Sequence, residues 1–145
     1  TFLGVNSAPG SLILSAGAPW YNTIQSYGVF MIGQSVDKVG RTTGWTRGTL
    51  SQTCVNAVID RVSSAPYMIL CAAVVENAGV GSGDSGAPVW LAVGGTTDAV
   101  TPLGILFAGS IPEGSVTCSQ SCYYLFTSFE RMGTHLIDDF HPESP

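Results

Sequence analysis

From residue 28 onward, apolar runs of strand length recur at turn-spaced intervals. They are Val29–Val36, Thr46–Thr53, Val55–Val62, Tyr67–Val75, Pro88–Val93, Leu103–Ala108 and Tyr123–Thr127, all rich in aliphatic, aromatic and β-branched residues. The breaks between them are Gly40-Arg41-Thr42-Thr43-Gly44, Ser63-Ser64-Ala65-Pro66, Gly79 to Gly86, Gly94-Gly95 and Pro112-Glu113-Gly114. Gly and Pro at this density end each run before a helix can nucleate. Seven short strands with no helices between them predict an all-β domain, either a sandwich or a barrel.

The two ends read differently. In residues 1–27, the bursts Thr1-Phe2-Leu3-Gly4 and Ser11 to Leu14 are interrupted by Pro9-Gly10, Gly17 and Pro19, which predicts an extended arm. Residues 28–145 form the domain proper. At its end, Thr127 and Glu130 have capping-box spacing, and Phe129, Met132, Leu136, Ile137 and Phe140 make an apolar stripe of helical period. A C-terminal helix packed on the β-domain is expected. His135 adjoins that stripe on the solvent side and His141 lies in the tail, so neither is placed in catalysis.

Composition narrows the class. A chain of 145 residues supports one compact core. Ten Asp+Glu against five Lys+Arg give a net charge of −5, so no nucleic-acid partner is expected. With 45% hydrophobic and 10% charged residues the chain is not a solvated disordered one. No run approaches the ~18 apolar residues of a membrane-spanning helix, so no membrane association is expected. Thr1 reads as a processed or internal start. Four cysteines and a single lysine, Lys38, point to secretion with disulfides.

Cys54 and Cys71 lie symmetrically about Val62 and Ser63, the start of the expected hairpin turn. That places them roughly opposite on antiparallel strands, as a cross-strand bridge requires. Cys118 and Cys122 then close a small surface loop. Zinc is the competitor, but only His135 and His141 are available and no C-x-x-C occurs, so no metal site is expected.

Candidate chemistry concentrates in Asn77-Ala78-Gly79-Val80-Gly81-Ser82-Gly83-Asp84-Ser85-Gly86-Ala87-Pro88-Val89. A phosphate-binding loop needs a following helix, whereas Pro88-Val89-Trp90 begins a strand. A hydrolase nucleophile elbow needs glycine where Ala87 stands, and also opens a helix. What remains is a serine on a tight Gly-flanked turn, where the amides of Gly83 and Ser85 can converge on one developing negative charge. Asp84 between them requires a cationic partner if buried.

Gly83-Asp84-Ser85-Gly86-Ala87-Pro88-Val89 resembles the nucleophile motif of the chymotrypsin-like serine proteases. Val39-Gly40-Arg41-Thr42-Thr43-Gly44-Trp45 with Gly48-Thr49 resembles a second block of that family, closest to the secreted bacterial streptogrisin and α-lytic protease type. The resemblance covers residues 28–140 and implies the family's C-terminal antiparallel Greek-key β-barrel of six to seven strands. It implies Ser85 as the acylating nucleophile and Gly83 and Ser85 as the oxyanion donors. It also implies a basic partner for Asp84, Lys38 or else Arg41. Leu106, Phe107, Ala108 and Gly109 resemble the strand that pairs with substrate. With Gly79, Val80, Gly81 and Ser82 they would line the specificity pocket. None of these is acidic, so an apolar side chain before the scissile bond is expected rather than Lys or Arg. Ala87 departs from the commoner glycine.

The family's mechanism also needs a histidine and an aspartate, both from a preceding barrel. No histidine precedes His135. Three readings stand: a serine endopeptidase whose His and Asp barrel is a separate companion chain, an inactive isolated half-barrel, or a non-catalytic peptide-binding pseudoprotease module. None calls for a cofactor.

Overall fold

The computed structural model describes residues 2–3, 21–24, 30–61, 64–92 and 99–130. Their strands are β1 (Phe2–Leu3), β2 (Tyr21–Ile24), β3 (Ser35–Gly40), β4 (Gly44–Arg61), β5 (Ser64–Glu76), β6 (Val80–Gly81), β7 (Pro88–Ala92), β8 (Ala99–Gly109), β9 (Thr117–Cys118) and β10 (Tyr123–Ser128). Six of them close a ring in the order β3-β4-β5-β10-β8-β7, with β7 returning to β3. Every neighbouring pair in the ring is antiparallel. The chain therefore forms a Greek-key barrel rather than a sandwich, and closure pairs the edges an open sheet would expose. From the expected arm, β2 adds parallel to β8 through Thr23 and Ile24, and β1 pairs with β2.

Strand alternation fills the barrel. Val36, Leu50, Val75, Val89, Leu103, Leu106, Tyr124 and Phe126 point inward and are buried, with the Phe30 ring against Phe126 at 5.6 Å. Ala72, Val74 and Leu125 face outward and make a second apolar cluster with Val55, Ala57, Ile69, Phe107 and Ala108. β5 and β10 are thus apolar on both faces, which is why their sequences read as continuous hydrophobic runs.

Several expected boundaries move. The first barrel strand spans Ser35–Gly40, not Val29–Val36. Residues 31–34 turn, with Gly33 at φ +91° and the Gln34 amide donating to the Met31 carbonyl at 3.2 Å. The expected strands at 46–53 and 55–62 are one 18-residue strand. Register shifts between Leu50 and Ala57 let it bend without ending. Ser64, Ala65 and Pro66, expected in the turn, belong to β5, because Arg61 pairs directly with Ser64. Thr127, the expected helix cap, is still in β10; residues 129–130 are helical, and the remainder of the expected helix lies outside the described residues.

The β4–β5 pair outruns the barrel. β3 pairs with β4 only as far as Thr49, and β10 pairs with β5 only from Ala73 onward. Residues 51–61 and 64–72 stand out as a two-stranded ribbon clasped near its base by the Cys54–Cys71 disulfide. Val58 sits opposite Met68 on one face of the ribbon, and both are exposed together with Leu70.

Candidate active site

The site is built where two turns meet. The β3–β4 turn carries Arg41, Thr42 and Thr43, and the β6–β7 turn carries Ser82 to Ala87. Asp84 joins them. Its carboxylate accepts from the amides of Thr42 (2.8 Å), Thr43 (3.1 Å) and Gly81 (2.9 Å), the Thr43 hydroxyl (2.5 Å) and the Lys38 ammonium (3.1 Å). Lys38 also donates to Thr43 Oγ1 at 2.6 Å. Both side chains of the ion pair are fully buried, so the cation Asp84 demanded is Lys38.

Burial alone would push the Asp84 carboxyl up, but hydrogen bonds from Thr43 and Thr42 and the charge of Lys38 outweigh it and hold the group below the usual carboxylate range. Burial draws the Lys38 ammonium below its ordinary value, opposed by Asp84. Space enforces the contact: a Cβ on Gly40 would lie 2.8 Å from the Cβ of Asp84 and closer still to its carboxyl.

Anchoring Asp84 fixes what flanks it. Its amide donates to the Gly81 carbonyl at 3.0 Å, and its carbonyl accepts from Ala87 at 2.9 Å. Gly86 donates to the Leu106 carbonyl at 2.8 Å, and Leu106 donates back to Ala87 at 2.9 Å, tying the turn to β8. Among the described residues, the amides of Gly83 and Ser85 have no hydrogen-bond partner. Gly83 holds φ +96°, a conformation glycine takes without strain. The Ser85 side chain is exposed, and its hydroxyl has only a long 3.5 Å approach to the Phe107 carbonyl.

A barrel of this topology has counterparts among solved structures. No protein-family model matches the sequence, and no curated protein matches it. Among solved structures, Protease A of Thermobifida fusca superposes with a TM-score of 0.58 at 20% identity, over 85% of this chain and 55% of that one. The Cellulomonas bogoriensis chymotrypsin gives 0.59 at 18% identity, over 94% and 63%. The Nocardiopsis protease gives 0.57 at 19%, over 83% and 53%. The chain has the chymotrypsin-like fold. It spans 53% to 63% of the length of these three proteases.

Within this chymotrypsin-like barrel the expected pocket residues divide. Val80 and Leu106 face the core and offer only backbone. Phe107 and Ala108 belong to the outer cluster, and Gly109 packs against Val80, whose Cγ2 would stand 2.6 Å from any Cβ there. β6 pairs with β9, setting Val80 opposite Cys118 and Gly81 opposite Thr117, while the Thr46 hydroxyl donates to the Gly79 carbonyl at 2.9 Å. The Ser82 amide donates to the Val116 carbonyl at 2.8 Å. The Cys118–Cys122 bridge closes its loop next to this small ribbon.

Three side chains that support the site carry no individual sequence signal. Thr43 shares its hydroxyl between Lys38 and Asp84, Thr42 Oγ1 donates to the Ser82 carbonyl at 2.5 Å, and Thr46 holds Gly79. Only the position of both threonines in the Gly40–Gly44 turn hinted at a role. His135 and His141 lie outside the described residues.

Proposed function

We propose that this barrel is the nucleophile-bearing half of a secreted serine endopeptidase. The observation that carries the reading is the pair of amides at Gly83 and Ser85, which have no partner among the described residues and flank buried Asp84, with Ser85 itself exposed. Two uncommitted amides one residue apart, beside an exposed hydroxyl, suit an oxyanion, and one such donor contributes about 3 kcal/mol to a transition state. Ser85 Oγ attacks the peptide carbonyl and its proton passes to a histidine; the carbonyl oxygen takes the charge and is held by the two amides. Collapse returns the proton to the leaving amine and leaves an acyl-Ser85 ester, which water hydrolyses by the same relay.

The histidine and its aspartate come from a second β-barrel. The lengths of the structural neighbours support such a companion, as does the lack of any histidine before His135. The acyl half of the substrate adds along Leu106–Gly109 as an extra strand. No acidic side chain occurs among Gly79–Ser82 or Leu106–Gly109, which favours an apolar residue before the scissile bond. Two disulfides support an extracellular site of action.

The test is peptide cleavage by the complete two-barrel protein. Ser85→Ala abolishes it while the fold persists; undiminished cleavage by that variant rejects the reading. Peptide binding without cleavage by wild-type protein would instead favour a pseudoprotease module.

A further inference from the structure

Of the cationic side chains described, Lys38 is committed to Asp84 and Arg47 to Asp37, the latter through two bonds of 2.9 Å. Arg41 is exposed and has no partner among the described residues. Its position is not arbitrary. A Cβ built on Gly83 would collide with the Arg41 guanidinium, whose Cζ stands 3.0 Å from that point, and with Thr42 Oγ1 at 2.9 Å. The guanidinium therefore lies over the bare α-carbon of Gly83. The turn that carries it is tied to the nucleophile loop by Thr42 Oγ1 on the Ser82 carbonyl and by the Thr42 and Thr43 amides on Asp84.

The nucleophile turn has two flanks. β8 lies along one, through the Ser85 contact to Phe107 and the Gly86 and Ala87 bonds to Leu106. The β3–β4 turn lies along the other. A peptide whose acyl half pairs with β8 crosses Ser85 and leaves over Gly83, toward Arg41. We propose that Arg41 is a specificity-determining residue that reads a carboxylate on the leaving-group half of the substrate, at the first or second residue past the scissile bond. A guanidinium offers paired donors in the geometry a carboxylate accepts. Gly83 keeps the path to it open, since a side chain there would displace the guanidinium. This inference rests on the serine endopeptidase reading and adds the substrate class on its leaving side.

The complete two-barrel enzyme would be assayed on quenched peptides that share one acyl half and carry Asp or Lys at each of the first two positions past the bond. An acyl p-nitroanilide, which has no peptide there, serves as the control. The wild type is expected to prefer Asp over Lys in kcat/KM by about two- to fivefold, the range of an exposed ion pair. The preference shrinks in 1 M NaCl, vanishes in Arg41→Gln and reverses in Arg41→Glu. An Asp/Lys ratio that is the same in all three proteins, with the nitroanilide cleaved, overturns the role of Arg41 and leaves the protease reading intact. No cleavage of the nitroanilide or any peptide overturns both.

Discussion

Lys38 and Asp84 stand 46 positions apart in sequence and meet at 3.1 Å with neither side chain exposed. One comes from β3 and the other from the turn before β7, so the ion pair is the clamp between the barrel wall and the loop that carries Ser85. Removing one member strands the other charge in the interior. Lys38→Met is expected to cost about 3–5 kcal/mol in guanidinium unfolding, and Lys38→Met/Asp84→Asn is expected to recover part of it. A loss below about 1 kcal/mol in the single variant would show that the pair does not hold the loop.

The same carboxylate sets an acid limit. Asp84 titrates below its ordinary value in the folded chain, so near pH 4 the unfolded chain binds more protons than the folded one. The stabilisation is fully present above the unfolded carboxyl pKa and is lost as pH falls through the lower folded one. Unfolding free energy is expected to be nearly flat for this group above about pH 5 and to drop below about pH 4. Asp84→Asn removes this group's share of the slope; an identical acid profile in that variant contradicts the assignment.

Gly40 is the steric counterpart of that clamp. Gly40→Ala puts a methyl into the Asp84 carboxyl and is expected to displace the loop that carries Ser85, lowering both the melting temperature and the proposed peptide cleavage. Full activity in Gly40→Ala would mean that the contact is looser than its geometry.

These relationships were only partly legible in the sequence. Runs of β-branched and aromatic residues marked the strands, and the symmetric placing of Cys54 and Cys71 about the turn marked their bridge. The long strand β4 was not legible as one element, because its bulges near Gln52 and Val55 break the alternation just where two strands would be divided. Val29 to Ile32 resembled a strand start, yet positive φ at Gly33 turns the chain there, and Met31 and Ile32 end exposed. At the site, the motif pointed to the turn that carries Ser85. The hydroxyls of Thr42, Thr43 and Thr46 became visible only with the backbone carbonyls and carboxylate they bond.

Inside the barrel, the Tyr124 hydroxyl is buried with no hydrogen-bond partner among the described residues, and burial together with Asp37 pushes its ionisation upward. An unpaired buried hydroxyl costs desolvation and returns nothing. Tyr124→Phe is expected to leave the melting temperature unchanged or raise it, by the equivalent of about 1 kcal/mol at most. A loss larger than that would reveal a hydrogen bond to this hydroxyl.

The two disulfides close loops of different length, with separations of 17 and 4 residues. By chain entropy, deleting Cys54–Cys71 as a double Ala variant is expected to cost about 3 kcal/mol and deleting Cys118–Cys122 about 2. Equilibrium denaturation of each variant would order them, and the reverse order would contradict the entropic account.

The most direct test of the central claim is a fluorophosphonate adduct mapped by peptide mass spectrometry on this chain together with its proposed histidine-bearing companion. The account predicts a single adduct on Ser85, absent in Ser85→Ala and prevented by prior occupation with an apolar peptide aldehyde. An adduct on another residue, or none while peptide cleavage continues, would contradict it.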